Sequence, residues 1–228
     1  MVPCAPSLVP FETAERWPLS LQGLSLRNVA LTISPAEQEN RKTRPVYSGF
    51  GELLFTHFGI SGPLILTASA YCDFRRFPQG FRLCLDLKPA IPEEELYARV
   101  EALLAAAPER QFGSATAELF PQRLRDVMTE LSGIARTRRA GSVQPGEIRS
   151  FVRLMKAVPL TAVRTRSYAE AVVTRGGVCV REVNPSTMES RLVSGLYFAG
   201  EVLDVDAVTG GFNLQIAWST GHLAGESV

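Results

Sequence analysis

Residues 195–201 read Gly-Leu-Tyr-Phe-Ala-Gly-Glu, and residues 209–215 read Thr-Gly-Gly-Phe-Asn-Leu-Gln. The first stretch predicts a short buried strand over 196–200 that ends at an acid, Glu201. The second predicts a glycine-rich entry into a final helix of about 212–224. An acid in this place can accept hydrogen bonds from a polyol, two glycines let a flat ligand approach the backbone, and free N–H groups at a helix start favour negative charge. A glycine-rich connection that binds nothing has the same pattern, so spacing alone leaves both interpretations open.

The chain on the N-terminal side of this segment has the apolar patterns of β-strands. These patterns predict strands at Leu24–Ile33, Glu52–Thr56, Phe81–Leu87 and Leu160–Val163. Two further strands, at 169–174 and 178–183, flank Gly176-Gly177, a pair that is typical of a hairpin turn. The polar stretch from Glu37 to Pro45 is typical of a loop or a hairpin tip.

Residues 92–158 have a different character, because three helix signals occur inside the β-rich chain. The stretch Pro92-Glu93-Glu94-Glu95 places a proline in the first turn of a helix and acids at its positive end. A second helix begins near Pro121 and a third near Pro145. Their apolar stripes are Leu96, Val100, Leu103 and Leu104, then Leu124, Val127, Met128 and Leu131, then Ile148, Phe151, Val152 and Met155. The pattern predicts a small all-helical unit set inside a β unit.

The composition is that of an ordinary globular chain of 228 residues, with 46% apolar and 21% charged residues. A net charge of +1 gives no reason to expect a nucleic acid or an anionic membrane as partner. No apolar run approaches the roughly 20 residues of a membrane span. No signal peptide is recognisable in the first residues, so we expect a cytoplasmic chain. Four scattered cysteines without a C-x-x-C pair favour reduced thiols over a zinc site, and we expect no metal.

Several motifs together resemble one bacterial family of flavoproteins. The segment from Phe198 to Asp206, followed by Gly210 to Gln215, is similar to the C-terminal flavin signature of the BaiN-like family. That family is also called the aminoacetone-oxidase-like or NAD(P)/FAD-dependent oxidoreductase family. The similarity extends, in the same order along the chain, to residues 6–10, 21–24, 51–63, 170–178 and 188–190. It covers essentially the whole chain, which makes it more specific than any single motif.

The resemblance implies an α+β architecture. In the family, a dinucleotide-binding domain is interrupted by a β-barrel-like inserted domain that carries a small helical subdomain, and the chain then completes the flavin domain. We therefore expect the barrel-like domain at 1–91 and 159–190, the helical subdomain at 92–158, and a strand–helix segment of a Rossmann-like FAD domain at 191–228.

The resemblance also implies the residues that bind the cofactor. Glu201, after Gly200, is in the position of the acid expected to bind the ribityl chain of the flavin. The segment along the pyrimidine edge of the ring corresponds to Gly210, Gly211, Phe212, Asn213 and Leu214, and a loop that approaches from the inserted domain corresponds to Gly176 and Gly177. Because a reduced flavin develops negative charge at that edge, the start of the last helix would stabilise it without a side chain. Ala207 and Phe212 stand where the family usually has Gly and Tyr, so a polar contact at 212 is in doubt.

One part of the family pattern has no counterpart in this sequence. The family begins with a strand, a G-x-G-x-x-G turn and a helix that hold the FAD pyrophosphate, and Gly49-Phe50-Gly51 is not followed by the third glycine. The chain is therefore expected to be either a piece of a longer protein or a short natural chain whose other half is a separate polypeptide. The missing dinucleotide-binding half is the expected partner.

The expected function of the complete protein is that of a flavoprotein oxidoreductase. NAD(P)H would reduce FAD by hydride transfer, and the flavin would pass electrons to a small organic acceptor or to oxygen. The chain alone is expected to be inactive. The alternative is a non-catalytic module that covers the substrate or forms an oligomer contact through the helices of 92–158.

Other residues have weaker signals. His57 can face the substrate as an acid or hydrogen-bond donor, although a histidine that fixes a loop is the more common case. Ser61 is a candidate N-cap for a helix at Pro63. The remaining expectations are a structural His222, a solvated basic loop at 136–139, and Arg164 and Arg166 as candidate contacts of a nicotinamide-cofactor phosphate.

Overall fold

The computed structural model describes residues 1–36 and 44–228. In these ranges eight strands are formed: β1 (Val2–Ser7), β2 (Phe11–Thr13), β3 (Ser25–Pro35), β4 (Tyr47–Phe55), β5 (Gly59–Ser61), β6 (Phe81–Asp86), β7 (Val158–Thr165) and β8 (Val173–Gly177). The helices are α1 (Trp17–Ser20), α2 (Pro63–Ser69), α3 (Glu93–Ala106), α4 (Phe112–Ala115), α5 (Gln122–Leu131), α6 (Pro145–Lys156) and α7 (Phe212–Ser227). Most of the loop predicted at Glu37–Pro45, residues 37–43, lies outside the described residues.

Six of the strands close into a barrel in the order β2-β5-β4-β3-β6-β7, and β1 pairs with β8 in a separate two-stranded sheet. Every pairing between these described strands is antiparallel. The period of two along β3 points Val29, Leu31 and Ile33 into the barrel, where each is at most 2% exposed. On β6, Phe81, Leu83 and Leu85 are buried in the same way. The four predicted barrel strands are therefore confirmed.

The helical unit forms as the sequence predicts. Pro92 is the N-cap of α3, and the acids Glu93, Glu94 and Glu95 lie in its first turn. Ten of the twelve residues of the predicted apolar stripes are buried: Leu96, Val100, Leu104, Leu124, Val127, Met128, Ile148, Phe151, Val152 and Met155. Leu103 is half-buried, and Leu131 at the end of α5 is 38% exposed. One continuous core joins these side chains to those inside the barrel. The α+β prediction of a barrel with a helical part is confirmed, whereas the domain boundaries at 91, 158 and 190 stay predictions.

Two local predictions are wrong. Gly176 and Gly177 do not form a hairpin turn, because they are the last residues of β8, and the residues around 169 and 181 form 3₁₀ turns instead of strands. The strand predicted at 196–200 is reduced to one bridge between Glu189 and Tyr197. A buried strand of an α/β domain needs paired neighbours, and the described residues provide only that bridge.

A second small core, made of Val178, Val183, Met188, Leu203 and Ala224, joins residues 178–188 to the C-terminal segment. This segment is attached to β8 by the amide of Val178, which donates to the carbonyl of Val202 at 2.8 Å. Among the described helices, none is long and apolar enough to cross a membrane.

Candidate cofactor site

A cleft of about 390 Å³ lies between the two-stranded sheet and the C-terminal segment. One wall comes from Leu8, Val172 and Val173, and the other from residues between Gly200 and Ala217. The lining includes six of the nine predicted cofactor residues: Gly200, Glu201, Gly210, Gly211, Asn213 and Leu214. The structure therefore brings the acid of the first motif and the glycine pair of the second to one space.

Glu201 lies at the exposed edge of this cleft. Its Oε1 accepts a hydrogen bond from the backbone N–H of Thr174 at 2.6 Å. A carboxylate offers about four acceptor positions, so Glu201 retains the capacity to accept hydrogen bonds from the hydroxyls of a ligand. The N–H of Gly200 donates to Thr220 Oγ1 at 2.9 Å, which fixes the turn at Glu201 to α7.

The glycine pair shapes the start of α7. Gly210 and Gly211 have φ of +118° and +87°, the region that favours glycine. A Cβ at Gly211 would meet no atom within 4 Å, so a side chain there would extend into open space at the cleft. Gly211 is the N-cap of the 16-residue α7, and no side chain caps this end within the described part of the chain. The first N–H groups of α7 therefore have no intrahelical acceptor at the cleft.

The loop before α7 is held by side chains on both sides. Asn213 closes it, because its Oδ1 accepts from the N–H of Ala207 at 2.8 Å and its Nδ2 donates to the Ala207 carbonyl at 2.9 Å. Thr209 and Thr67 share a hydrogen bond of 3.0 Å between their hydroxyls. Ser7 Oγ donates to Asp206 Oδ2 at 2.5 Å. The loop is thus fixed to both β1 and α2, and the Asn213 side chain holds the loop while its backbone lines the cleft.

The side chain of Phe212 does not line the first cleft. Its side chain is 55% exposed and lines a second cleft of about 390 Å³, together with Tyr71 and Asp206. Val208 lines both clefts, so the two clefts adjoin at this loop. The phenylalanine that replaces the usual tyrosine therefore lies toward the neighbouring cleft and not toward the first one.

Gly176 and Gly177 are buried and are not among the residues that line the first cleft. A Cβ at Gly176 would lie 2.4 Å from the Pro3 carbonyl oxygen, and one at Gly177 would lie 2.3 Å from that of Val202. Both glycines are required for backbone to pass close to backbone. Their contact with a flavin stays a prediction.

The weaker candidates lie away from the clefts. His57 is exposed, and its ring centroid is 4.9 Å from that of Phe58. The N-cap prediction for Ser61 is wrong, because Ser61 ends β5 and Gly62 precedes α2. His222 is 75% exposed and lies 3.4 Å from Glu226.

Arg164 and Arg166 both bind the carboxylate of Glu12, at 2.6 and 2.7 Å. Burial opposes the ionisation of Glu12, but the hydrogen bonds from the two arginines outweigh it and lower the pKa of Glu12. Arg166 also contacts Glu170 at 2.7 Å. Each guanidinium already forms an ion pair with a carboxylate. The structure therefore favours a structural role for these two arginines over contact with a cofactor phosphate.

Comparison with known proteins assigns the chain to a family. The model of the HI0933-like protein barrel and H2TH domain matches residues 5–173, which hold the barrel and the helical unit. The chain belongs to the HI0933-like family. The family is related to FAD-binding oxidoreductases, which agrees with the flavoprotein resemblance at this coarser level.

Three curated relatives have similar sequences. A 3-dehydro-bile acid delta(4,6)-reductase of Clostridium scindens is 33% identical over 78% of this chain and 44% of its own length. Ribosomal RNA dihydrouridine synthases are 31% identical over 100% of this chain and 52% of the Haemophilus influenzae protein, and 34% identical over 74% of this chain and 40% of the Escherichia coli protein. This HI0933-like chain thus spans about half the length of the curated relatives it matches.

The residues of the first cleft fit the ring and ribityl part of a flavin. The open space at Gly211, the uncapped start of α7 and the remaining acceptor positions of Glu201 suit a flat ligand that carries a polyol and an electronegative edge. Among the described residues we find no glycine-rich turn that would hold a pyrophosphate in the manner of G-x-G-x-x-G. The fit therefore applies to one half of FAD.

Sequence reasoning missed the wall formed by Leu8 and Val172. Leu8 has φ of +49°, is 1% exposed, and accepts a hydrogen bond from the Val172 N–H at 3.2 Å. A leucine in this backbone region is strained and persists only where its surroundings fix it. The signal that would reveal this wall is the pairing of β1 with β8, which local patterns do not show.

Proposed function

We propose that this HI0933-like chain is the substrate-side half of a flavin-dependent reductase. When FAD is bound, it would accept a hydride from NAD(P)H and deliver it to an organic acceptor. The observation that carries the proposal is the first cleft, where Glu201, the Gly210–Gly211 pair and the uncapped start of α7 face one ligand-sized space.

The activities of the relatives support an organic acceptor over oxygen. One relative is a reductase of a bile acid, and two make dihydrouridine, which is uridine with two added hydrogens. Both chemistries add a hydride and a proton across a carbon–carbon double bond that a carbonyl activates. We therefore propose an unsaturated carbonyl compound as the acceptor.

The chain's own residues would bind and orient the cofactor. Glu201 would accept hydrogen bonds from the ribityl hydroxyls. The first N–H groups of α7 would donate to the pyrimidine edge of the ring and stabilise negative charge there. Leu8 and Val172 would exclude water from the opposite wall, which strengthens these polar contacts.

The second cleft is suited to the acceptor. Tyr71 and Phe212 are 53% and 55% exposed there, next to the carboxylate of Asp206. Two exposed aromatic rings provide apolar surface for a flat unsaturated ligand. Since Val208 belongs to both clefts, an acceptor held by these rings would lie beside the cofactor site.

The charges of the helical unit favour a small molecule over RNA. Residues 92–158 contain ten basic and nine acidic side chains. Eight of these ten basic groups contact a carboxylate. RNA and DNA binding depends on cations that are available to phosphates. Because these pairs offset most of the positive charge of the helical unit, we propose a small-molecule substrate.

The C-terminal segment exposes a large share of the apolar side chains on the surface of this chain. Of the 16 strongly exposed large apolar residues among the described ones, eight lie after residue 190: Leu192, Val193, Leu196, Val202, Phe212, Leu214, Trp218 and Val228. Exposed apolar groups in one region mark an interaction surface. We propose that a dinucleotide-binding half, which supplies the pyrophosphate site, covers it either in the same polypeptide or as a separate chain.

Trp218 provides a test of this partner. Its side chain is 70% exposed, so Trp218→Ala should change the free energy of unfolding of this chain by no more than about 0.5 kcal/mol. The same change should weaken binding to a separately expressed dinucleotide-binding half of the family at least about tenfold, as truncation of an interface tryptophan does. In a Trp17→Phe background, emission from Trp218 should shift to the blue on mixing.

Desalting adds a second readout to this mixture. After desalting, FAD should remain bound to the mixture of the two halves, whereas a sample of this chain by itself should lose it. Val163→Ala, at an apolar residue of β7 that is 41% exposed, serves as the matched control and should not affect the association. A stoichiometric yellow complex of FAD with this chain alone, or no emission change on mixing, would contradict the proposed partner.

Gly211→Val tests the proposed function directly. In a protein that holds both halves, the valine side chain would occupy the space of the flat ligand, so we expect FAD affinity to fall at least about tenfold, or 1.4 kcal/mol. Gly133→Val is the matched control, because Gly133 also has positive φ, +71°, and open space where a Cβ would lie. Flavin fluorescence titration measures the FAD affinity of both variants. Equal affinity in the two variants would refute the site.

The alternative of an oligomerisation module loses its supporting observation. It rested on the apolar stripes of residues 92–158, and ten of the twelve stripe residues are buried inside this chain, whereas Leu131 is 38% exposed. An ordinary helical core accounts for them.

A further inference from the structure

A cavity of about 230 Å³, which we call the junction cavity, lies where the barrel meets the helical unit. Its polar lining comes from Ser25, Arg27 and Asn28 at the start of β3 and from Lys88 just after β6, and its apolar side comes from residues around Phe120 and Pro121. It shares no lining residue with either of the clefts beside α7. The cavity is therefore a separate feature of the fold.

The register between β3 and β4 shifts between Leu26 and Val29. A β-bulge of this kind redirects side chains, and Arg27 and Asn28 lie inside it. The junction cavity thus gathers donors from a segment where regular pairing is interrupted.

The lining is cationic. The ammonium of Lys88 lies 5.7 Å from the centroid of the Phe120 ring. Burial, and then the like charge of Arg99, lower the pKa of Lys88. Among the described residues that line the cavity, none is acidic.

The nearby carboxylates have other partners. Asp86 contacts the ammonium of Lys156 at 2.6 Å, and its Oδ1 accepts the backbone N–H of Lys88 at 2.8 Å. Glu52 accepts the hydroxyl of Ser25 at 2.6 Å. In the described part of the chain, neither acid forms an ion pair with the side chain of Lys88 or Arg27, and both cations line the same cavity.

The N-terminal end of α5 adds to the positive potential of the junction cavity. Pro121 is its N-cap without a side-chain hydrogen bond, and its first turn contains no acid. Arg123 is turned away, because its guanidinium donates to the carbonyls of Ser20 and Gln22 at 2.6 and 2.9 Å. This end of α5 therefore has the polarity that favours an anion.

We propose that the junction cavity binds the phosphate group of a small ligand, with Lys88 and Arg27 as the cationic contacts and Asn28 as a neutral donor. Its volume accommodates a phosphate together with part of the group to which it is esterified. Charge-assisted hydrogen bonds from an ammonium and a guanidinium are the usual means of holding a phosphate.

The test is a titration of the full chain with inorganic phosphate, followed by calorimetry and by amide NMR, with chloride at matched ionic strength. We expect saturable binding that Lys88→Met weakens at least tenfold and Arg27→Gln weakens severalfold. Arg110→Gln is the matched control, because Arg110 is exposed and does not line the cavity. Phosphate binding that is unchanged in Lys88→Met, or that chloride reproduces, would overturn the proposal.

Amide NMR keeps the proposal testable if Lys88→Met fails to fold. In the unmodified chain, phosphate should shift the amides of residues 25–28, 88 and 122–124, and an absence of shifts there would overturn the site. Comparison of NADP⁺ with NAD⁺, and of ribose 5-phosphate with ribose, identifies the source of the phosphate. Tighter binding of the member with the additional phosphate monoester, in either pair, supports the site, and equal binding within both pairs contradicts recognition of a phosphate monoester.

Discussion

Gly177→Ala is expected to lower the free energy of unfolding by about 3 kcal/mol or more, because two costs coincide at one residue. Gly177 has φ of +125°, which an alanine adopts only with strain. The new Cβ would also lie 2.3 Å from the carbonyl oxygen of Val202, which is backbone and cannot rotate away. The segment that carries Glu201 would have to separate from β8.

Gly195→Ala is the matched control for this prediction. Gly195 has φ of +74°, so alanine is strained there, but a Cβ would meet nothing within 4 Å. The free energies of unfolding of the two variants, measured in urea, should therefore differ by the energetic cost of the clash at Gly177→Ala. Hydrogen exchange should accelerate at the amide of Val178, which bonds to the Val202 carbonyl. Equal losses of stability in the two variants would show that close packing is not the function of this glycine.

The comparison also separates two explanations of Gly177. The resemblance assigns it to a loop near the flavin, and the structure gives it a packing role that is complete without a ligand. If packing is the reason for the glycine, Gly177→Ala destabilises this chain in the absence of FAD. A ligand contact alone would leave the stability of the chain without FAD unchanged apart from the strain.

The parts of the fold that follow from local patterns could be predicted. Alternation along β3 and β6 and the stripes of α3, α5 and α6 depend on periods of two and of 3.6 residues, and these are visible in any single stretch. The acid at 201 and the glycine pair at 210–211 are also local signals. The structure brings them to one cleft, whereas their contact with a cofactor stays a prediction.

The parts that depend on distant partners could not be predicted. Leu8 and Val172 become a wall of the cleft only because β1 pairs with β8, more than 150 residues further along the chain. Gly176-Gly177 has the composition of a turn, and only the backbone of Pro3 and Val202 beside it reveals the other reason for two glycines. The Phe212 ring lies toward the second cleft, a direction that the residue type alone does not indicate.

Phe151→Ala is expected to lower the free energy of unfolding by about 3–5 kcal/mol, the usual cost of emptying a fully buried phenylalanine site. Phe151 is 1% exposed, and its ring lies edge-on to Phe112 at 5.2 Å and to Phe120 at 6.1 Å between centroids. These three rings come from α4, α6 and the segment before α5, so no single neighbour can move to fill the space. Phe50→Ala, at a phenylalanine that is 64% exposed, should cost far less.

The same variant decides whether the helical unit and the barrel unfold together. Their buried side chains form one continuous core, and Lys156 of α6 ties the two parts with contacts of 2.6, 2.9 and 3.0 Å to Asp86 and the carbonyls of Lys88 and Ile91. A cavity at Phe151 should therefore lower the stability of both parts. In a Trp218→Phe background, Trp17 reports on the barrel, because its ring lies 5.7 Å from that of Phe55, while far-ultraviolet circular dichroism reports mainly on helices. We expect both signals to shift to the same lower urea midpoint. A helical signal that is lost at lower urea than the Trp17 signal would show that residues 92–158 are an independent folding unit.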